Sequence, residues 1–404
     1  YVAQGREVTV RSFLDAASEK LEGKFKREPL VEASIRQTLG TTYRNIGEFS
    51  PAESHLERAY EIRREQLGPK HAETLNTMDG LARVYWRQGR YDRAQSLFTE
   101  TVESRRNVLG ITHPDTLFSM NGLAVLYFSQ GRYKDAESLY EKMLEISRTV
   151  LGEDDVSTLL FMGNLATVYR FQGRYNQAES MYVKATEQTR RLLGEEHPDT
   201  LYCIHGLGML YVAQGRYEQA EPLLLNALEI GCLVLGAEHP DTLSSMNGLA
   251  TLYMARGDYG LAEKLLTDAL DIGRLTLGEV HPATLTSMNC LARLYYQMDR
   301  YEQSLPLLVD TLQARRLVLG DEHPDTLESM HCLAVLYTAK GMHKEAEELL
   351  VETLQGRRRV LDAEHPDTIA MAADFVKLYE AWGKPELAEQ WRAKLARTGA
   401  AGER

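Results

Sequence analysis

Seven histidines recur at one position of a repeated pentapeptide, and imidazole is a common ligand of transition metals. They are His71, His113, His197, His239, His281, His323 and His365. Most begin the sequence His-Pro-Asp-Thr-Leu, and the copies follow a 42-residue spacing with Asp155 at the one place that lacks histidine. Packed helices lie about 8–10 Å apart, so neighbouring imidazoles cannot share an ion whose Zn–N bonds are about 2.0–2.1 Å. We therefore predict no metal site in this column.

The pentapeptide is better explained as the start of a helix. Proline fits the first helical position, and aspartate and threonine in the first turn can offer acceptors to free backbone N–H groups. Threonine is present in all eight copies, as Thr74, Thr116, Thr158, Thr200, Thr242, Thr284, Thr326 and Thr368. We predict that these side chains cap a helix that begins once in every repeat.

No motif of a known catalytic centre accompanies the histidines. The sequence has no Gly-x-Ser-x-Gly, no Gly-rich phosphate loop, no His-Glu-x-x-His and no Cys-x-x-Cys. Cys290 and Cys332 occupy a repeat position that is glycine in other copies, which indicates a small residue at a tight helix contact. We predict a protein that is not an enzyme and has no cofactor.

Each 42-residue repeat is predicted to form two helices. In the copy at residues 113–154, apolar residues recur at three- and four-residue steps on either side of Gly131. The first set is Leu117, Met120, Leu123, Ala124 and Tyr127, and the second is Tyr133, Ala136, Tyr140, Met143 and Ile146. Gly131 can adopt the positive φ that ends a helix. We expect antiparallel helix pairs that bury their apolar faces only by stacking on neighbouring pairs.

This pattern of Leu, Ala or Gly, Tyr, then Gly, Tyr and Ala resembles the tetratricopeptide repeat. The 42-residue form with His-Pro-Asp between helices is similar to the repeats of kinesin light chains and related signalling proteins. The resemblance covers about residues 29–396, with repeats that start near residues 29, 71, 113, 155, 197, 239, 281, 323 and 365. It implies an all-α fold, a right-handed superhelix of nine antiparallel helix pairs, the last one shortened.

One departure from the ordinary 34-residue repeat concerns its terminal proline. The corresponding place holds Arg64, Arg106, Arg148, Arg190, Cys232, Arg274, Arg316 or Arg358. Because proline costs about 3 kcal/mol inside a helix, its absence predicts that the second helix continues for about two more turns. Basic side chains near the helix end also suit the negative pole of the helix dipole.

The two ends of the chain differ from the repeats. Residues 1–28 predict an amphipathic capping helix, with Thr9 as its cap and Val10, Phe13, Leu14, Ala17 and Leu21 on its apolar face. Residues 5–11 with Leu14-Asp15 and residues 29–33 resemble the segment that joins bacterial serine/threonine kinases to such arrays. That resemblance implies a kinase or other effector domain upstream. Residues 397–404 are expected to form a flexible tail.

The resemblance also implies a peptide-binding groove, lined by positions 2, 5, 9 and 12 of each first helix. Position 1 is the leucine of the pentapeptide, such as Leu117. Aromatic residues, arginines and a column of asparagine and histidine occupy these positions. The candidate groove residues are Arg83, Trp86, Phe118, Asn121, Phe128, Arg170, Tyr202, His205, Met209, Asn247, Met254, Asn289, Arg293, Tyr296 and His331. The amides can bond an extended peptide backbone, or they can satisfy a neighbouring helix across the groove; both interpretations stay open.

Charge narrows the class of partner. The formal net charge of −12 argues against nucleic acid, whose binding normally needs a basic face. No run of 18 apolar residues is present, so membrane insertion is not expected. We expect a cytoplasmic scaffold that binds a protein or peptide in its concave groove, as a docking or sensor module of a larger signalling protein. The alternative is a regulatory array that acts by forming homo-oligomers.

Overall fold

Helices make up most of the computed structural model, which describes residues 10–21, 24–25, 27–361 and 365–402. These residues contain nineteen α-helices and no strand. The helices are α1 (Val10–Leu21), α2 (Pro29–Asn45), α3 (Phe49–Leu67), α4 (Ala72–Arg87), α5 (Tyr91–Leu109), α6 (Pro114–Ser129), α7 (Tyr133–Val150), α8 (Val156–Phe171), α9 (Tyr175–Leu193), α10 (Pro198–Ala213), α11 (Tyr217–Val234), α12 (Pro240–Arg256), α13 (Tyr259–Thr276), α14 (Pro282–Gln297), α15 (Tyr301–Leu319), α16 (Pro324–Ala339), α17 (His343–Val360), α18 (Pro366–Ala381) and α19 (Pro385–Gly402). The all-α repeat fold expected from the 42-residue period is confirmed.

The chain forms two compact units, Tyr1–Leu126 and Tyr127–Arg404. Within the second unit, the first helices of successive pairs (α8, α10, α12, α14, α16 and α18) pack directly on one another. The second helices of the described residues approach each other much less. The first helices therefore form the inner face of this unit, as the groove prediction requires.

The predicted extension of the second helix is confirmed. The first helix α4 has 16 residues, whereas its partner α5 has 19 and continues past Arg106. The last pair follows the same plan, since α19 has 18 residues and ends at Gly402. The expected shortening of this pair is therefore wrong, and the chain is helical at 397–402, where a loose tail was expected.

The N-terminal helix α1 lies against the first repeat, although its apolar face is narrower than predicted. Leu14 and Leu21 are buried, but Phe13 is 67% exposed and does not belong to that face. The hydroxyl of Tyr43 in α2 donates a hydrogen bond of 2.8 Å to Asp15 Oδ1. Thr9, the predicted cap, lies outside the described residues.

Each first helix begins where the pentapeptide predicts, but different atoms make the cap. His197 Nδ1 accepts a hydrogen bond of 3.2 Å from the backbone N–H of Asp199. The Thr200 hydroxyl instead donates to Gly194 O, in the preceding loop, at 2.9 Å. The prediction that aspartate and threonine supply the capping acceptors is therefore wrong. In the copy without histidine, Asp155 Oδ1 takes the same role toward the Ser157 N–H at 2.9 Å.

The threonine column divides into two groups that a pair of variants can separate. Thr200 and Thr326 are both fully buried, but the Thr326 hydroxyl has no hydrogen-bond partner among the described residues. We expect Thr200→Val to lower the free energy of unfolding by about 1 kcal/mol, because it removes a hydrogen bond. Thr326→Val should be neutral or stabilising, because it removes an unsatisfied buried hydroxyl. Urea denaturation checks both, and equal losses at the two sites would contradict the division.

The glycine column marks tight contacts between a first helix and the second helix of the preceding pair, consistent with the small-residue contact interpreted from the sequence. A Cβ at Gly206 in α10 would lie 2.5 Å from Cε1 of Tyr182, and one at Gly122 would lie 2.5 Å from Cε1 of Phe98. Tyr182 and Phe98 are each only 1% exposed, so neither ring can move aside cheaply. Burial raises the pKa of Cys332, in the same column, to about 12, so its thiol stays protonated at neutral pH.

Candidate functional site

The first-helix face of the first unit carries an arginine on an exposed aromatic ring. Phe118 is 54% exposed, and the guanidinium carbon of Arg83 lies 4.1 Å from its ring centroid. Arg83 Nε also donates to Asp79 Oδ2 at 2.8 Å, which fixes the guanidinium. Trp86 is half-buried one helical turn further along α4. The predicted residues thus form a pre-arranged apolar and cationic surface in this unit.

An aromatic cluster occupies the start of the inner face in the second unit. Phe128 meets Phe171 edge-on with ring centroids 4.9 Å apart, and Tyr133 lies 5.5 Å from Phe128. His365, from the beginning of α18, reaches the same cluster with its ring 6.2 Å from that of Tyr133. The guanidinium carbon of Arg170 lies 4.4 Å from the Phe171 centroid.

Phe171 was missed by the sequence analysis, although it is 45% exposed. It occupies the position after the four that were assigned to the groove. The equivalent residues in the other copies are Arg87, Ser129, Ala213, Ala255, Gln297 and Ala339. A lone aromatic residue in a small or polar column was the signal that could have found it.

The middle of the inner face is partly open and weakly polar. Tyr202 in α10 is 44% exposed, and its hydroxyl donates to Asn164 Oδ1 at 2.7 Å. Burial, together with the charge of Arg170, lowers the pKa of His205 to about 4, so its imidazole is neutral at pH 7. The remaining predicted apolar residues of this face are half-buried, namely Met209, Met254 and Tyr296.

The asparagine column lies deeper than the aromatic residues. Asn247 is 8% exposed and Asn289 is 4% exposed, whereas Asn121 is half-buried. Asn289 Oδ1 accepts a hydrogen bond of 3.3 Å from the Ser329 hydroxyl of α16. Asn289 therefore satisfies a neighbouring helix, which was one of the two interpretations. Contact of this column with a peptide backbone stays a prediction.

A compact charged cluster occupies the inner face near the C-terminal end. His331 Nε2 lies 2.8 Å from Asp374 Oδ2, and Arg357 Nη2 donates to Glu328 Oε2 at 2.7 Å. Burial alone would lower the pKa of His331, but hydrogen bonds to Asp374 and Glu328 raise it to about 9. Burial would likewise raise the pKa of Glu328, yet His331 and Arg357 lower it to about 2. His331, a predicted groove residue, is thus held within the protein, whereas Arg293 in α14 is exposed.

A column of buried arginines near the end of the second helices was also missed. Arg315 is 3% exposed, and its Nη1 donates to Asp325 O at 2.7 Å and to Ser329 Oγ at 2.8 Å. Arg63 and Arg105 make the same two kinds of bond to the helix that follows them. Where the column holds arginine, the side chain joins its pair to the next first helix. Their 42-residue spacing was visible in the sequence, beside the more exposed arginines that were noticed.

Comparison with protein families matches the tetratricopeptide repeat in seven segments, which overlap one another except between residues 149 and 155. These are residues 31–107, 84–149, 155–232, 205–275, 241–316, 283–356 and 328–394. The segments span most of the chain, so the chain belongs to the tetratricopeptide-repeat family. This repeat fold is that of non-catalytic scaffolds that bind proteins or peptides. A search of curated proteins found no match.

Solved structures include similar repeats. A putative kinesin light chain of Podosopora anserina with nearly identical TPR-like repeats is 32% identical over 52% of this chain and 99% of its own, with a TM-score of 0.42. The resemblance to kinesin-light-chain-like repeats is thus confirmed. Rap protein complexed with competence and sporulation factor is 15% identical over 92% of this chain and 99% of its own, with a TM-score of 0.61. The apo quorum sensor NprR of B. thuringiensis is 17% identical over 88% of this chain and 98% of its own, with a TM-score of 0.52. These last two show the fold alone.

Metal-binding clusters and membrane-spanning helices are both absent from the residues that the structure describes. Within the described part of the chain, no group of three or more His, Cys, Asp or Glu side chains is arranged to hold a metal ion. None of the described helices combines the length and the apolar character that a bilayer crossing requires.

Proposed function

We propose that the inner face of the second unit binds an extended or helical segment of a partner protein. The observation that carries this proposal is the row of accessible apolar side chains on successive first helices. Phe171 is 45% and Tyr202 is 44% exposed, and half-buried Met254 and Tyr296 continue the row. Exposed apolar patches of this kind mark interaction surfaces. Phe118 with Arg83 provides a similar surface on the first unit.

Within a larger protein, this module would dock a signalling partner or sense a peptide. The N-terminal resemblance to kinase-linked arrays supports that context, as does the complex of the similarly folded Rap protein with a sporulation factor. The aromatic row would supply most of the buried area, since aromatic side chains dominate such interfaces. On the similar surface of the first unit, Asn121, the most accessible of the three asparagines, would bond a peptide backbone.

A peptide display against the 404-residue protein, followed by calorimetry with the selected peptides, tests the proposal. We expect Phe171→Ala and Tyr296→Ala each to weaken binding about tenfold or more, as truncation of an interface anchor does. Leu275→Ala is the matched control, because Leu275 is 87% exposed but lies on the second helix α13. Unchanged affinity in both aromatic variants, or an equal loss in Leu275→Ala, would show that this face is not the binding surface.

One observation favours the alternative of self-assembly. Leu233, Leu275 and Leu317 occupy the same position on α11, α13 and α15, and each is at least 77% exposed. Such a stripe is a surface that a second copy of the chain could cover. Light scattering at increasing concentration tests it: a rising mass that the triple Leu→Ser variant abolishes supports assembly, and a constant monomer mass excludes it.

A further inference from the structure

A cavity of about 160 Å³ lies beside Gly231, between α10, α11 and α12 of the second unit. Its walls include Tyr202 and His205 from α10, and Asp241 and Ser245 from α12. A space of this size can hold several ordered waters. Tyr202 lines the cavity and also belongs to the proposed binding face, so the two adjoin.

Gly231 stands in the column of buried arginines. Arg315 donates to the carbonyl ten residues later and to the hydroxyl fourteen residues later, and its Nη2 lies 3.5 Å from Thr286, twenty-nine residues earlier. The same steps from Gly231 lead to Asp241, Ser245 and Tyr202. All three line the cavity. The cavity is therefore the space that an arginine of this column would fill.

The acceptors of the absent guanidinium remain in place. Ser245 Oγ donates to Asp241 O at 3.0 Å, so the hydroxyl oxygen keeps free acceptor capacity, and rotation of this hydroxyl would free the carbonyl for a guanidinium. Ser245 is half-buried, whereas Ser119 and Ser329, which bond arginines, are fully buried. His205 Nδ1 is buried and finds no hydrogen-bond partner in the described part of the chain. Unsatisfied buried polar atoms of this kind call for a ligand or ordered water.

Gly273, which also replaces an arginine, shows why the cavity at Gly231 is distinctive. A Cβ at Gly273 would lie 2.8 Å from Thr284 Oγ1, and the corresponding Ser287 is fully buried. The helices have closed over the missing side chain there. At Gly231, the nearest atom to a Cβ is Thr242 Oγ1 at 3.5 Å, which is ordinary contact. The space at Gly231 has stayed open.

We propose that this cavity is a socket for an arginine side chain of the partner segment. The guanidinium would donate to Asp241 O and Ser245 Oγ, as Arg315 does to Asp325 and Ser329. A planar fork with five donors fits this arrangement better than the ammonium of lysine. The nearby charge of Arg170 does not forbid it, because Arg105 is buried in its own column although Arg83 lies close to it. The inference rests on the proposed function in taking the arginine from a partner segment.

Small probes test the chemistry directly. N-acetyl-arginine methylamide is titrated into the 404-residue protein, and the backbone amide resonances of Gly231 and Ser245 are followed by NMR. We expect both to shift, and the isosteric citrulline probe to bind at least about tenfold more weakly, because it lacks the charge-assisted bonds. Equal binding of the two probes, or no shift near Gly231, would overturn the socket.

Two substitutions at one position provide the matched comparison. Gly231→Arg should fill the socket from within, abolish the response to the arginine probe and raise the melting temperature. Gly231→Ala adds only a Cβ that fits, so it should keep the response of the wild type. Ser245→Ala, which removes one acceptor, should weaken the probe about tenfold. A Gly231→Arg protein that binds like the wild type contradicts the proposal.

The peptides selected by display separate this inference from the proposed function. If Phe171→Ala weakens them but an arginine-to-citrulline exchange and Gly231→Arg change nothing, the socket is wrong and the binding face stands. If no peptide binds, yet the arginine probe shifts Gly231 in the wild type and not in Gly231→Arg, the socket stands and the partner segment is wrong.

Discussion

Arg315→Ala is expected to lower the free energy of unfolding by about 3 kcal/mol. The substitution leaves Asp325 O and Ser329 Oγ without their charged donor and opens a void between α15 and α16. Hydrogen bonds to charged groups contribute about 1.5–3 kcal/mol, and a buried void adds to the loss. Because the side chain is 3% exposed, water cannot readily replace it. Urea denaturation followed by circular dichroism measures the change.

The neighbouring arginine supplies the control. Arg316 forms ion pairs of 3.0 Å with Asp321 and Glu352, but its side chain is 38% exposed. Exposed ion pairs contribute about 0–1 kcal/mol, so Arg316→Ala should cost less than about 1 kcal/mol. Arg315→Lys should fall between the two, because lysine keeps the charge and loses the planar fork. Similar losses for Arg315→Ala and Arg316→Ala would show that the buried bonds do not fasten the repeats.

The helix pairs were predictable because their signal repeats. An apolar face at helical spacing, the glycine break and the missing proline recur every 42 residues, so each helix is indicated many times over. The hydrogen bonds of the helix cap could not be predicted in the same way. Spacing placed the helix start at Pro198 correctly, but not the atoms that complete it. His197 Nδ1 reaches the free N–H group, while the hydroxyl of Thr200 turns back to the preceding loop.

Depth was the second property that spacing could not supply. Residue position assigned Tyr202 and Asn289 to the same face, yet Tyr202 is 44% exposed and Asn289 only 4%. The difference in exposure depends on how closely each first helix packs on its neighbours, and this distance varies from pair to pair. The buried arginines were overlooked for a related reason. Arginine is seldom fully buried unless it is paired, and the acceptors of Arg315 include a backbone carbonyl, Asp325 O, that no sequence pattern reveals.

The charged cluster that contains His331 and Glu328 should make the stability of the fold depend on pH. The stability that it contributes should fall both at high pH and at low pH. The pKa of His331 rises from 6.5 to about 9 in the folded protein, so its contribution is complete below pH 6.5 and is lost as the pH rises through 9. The pKa of Glu328 falls from 4.5 to about 2, so its contribution is present above pH 4.5 and is lost as the pH falls through 2. The cluster should therefore stabilise the fold most between about pH 4.5 and 6.5.

His331→Gln should accordingly cost more at pH 5.5 than at pH 10. A shift of 2.5 units from 6.5 to about 9 corresponds to about 3 kcal/mol, and this difference between the wild type and the variant should disappear at the higher pH. Asp374→Asn is the control, because it removes the negative charge 2.8 Å from the ring and should move the imidazole pKa back toward its ordinary value. Urea denaturation at the two pH values measures the loss, and an NMR titration of the His331 ring reports the pKa itself. A ring that titrates near 6.5 in the wild type would show that Asp374 and Glu328 do not hold the charged imidazole.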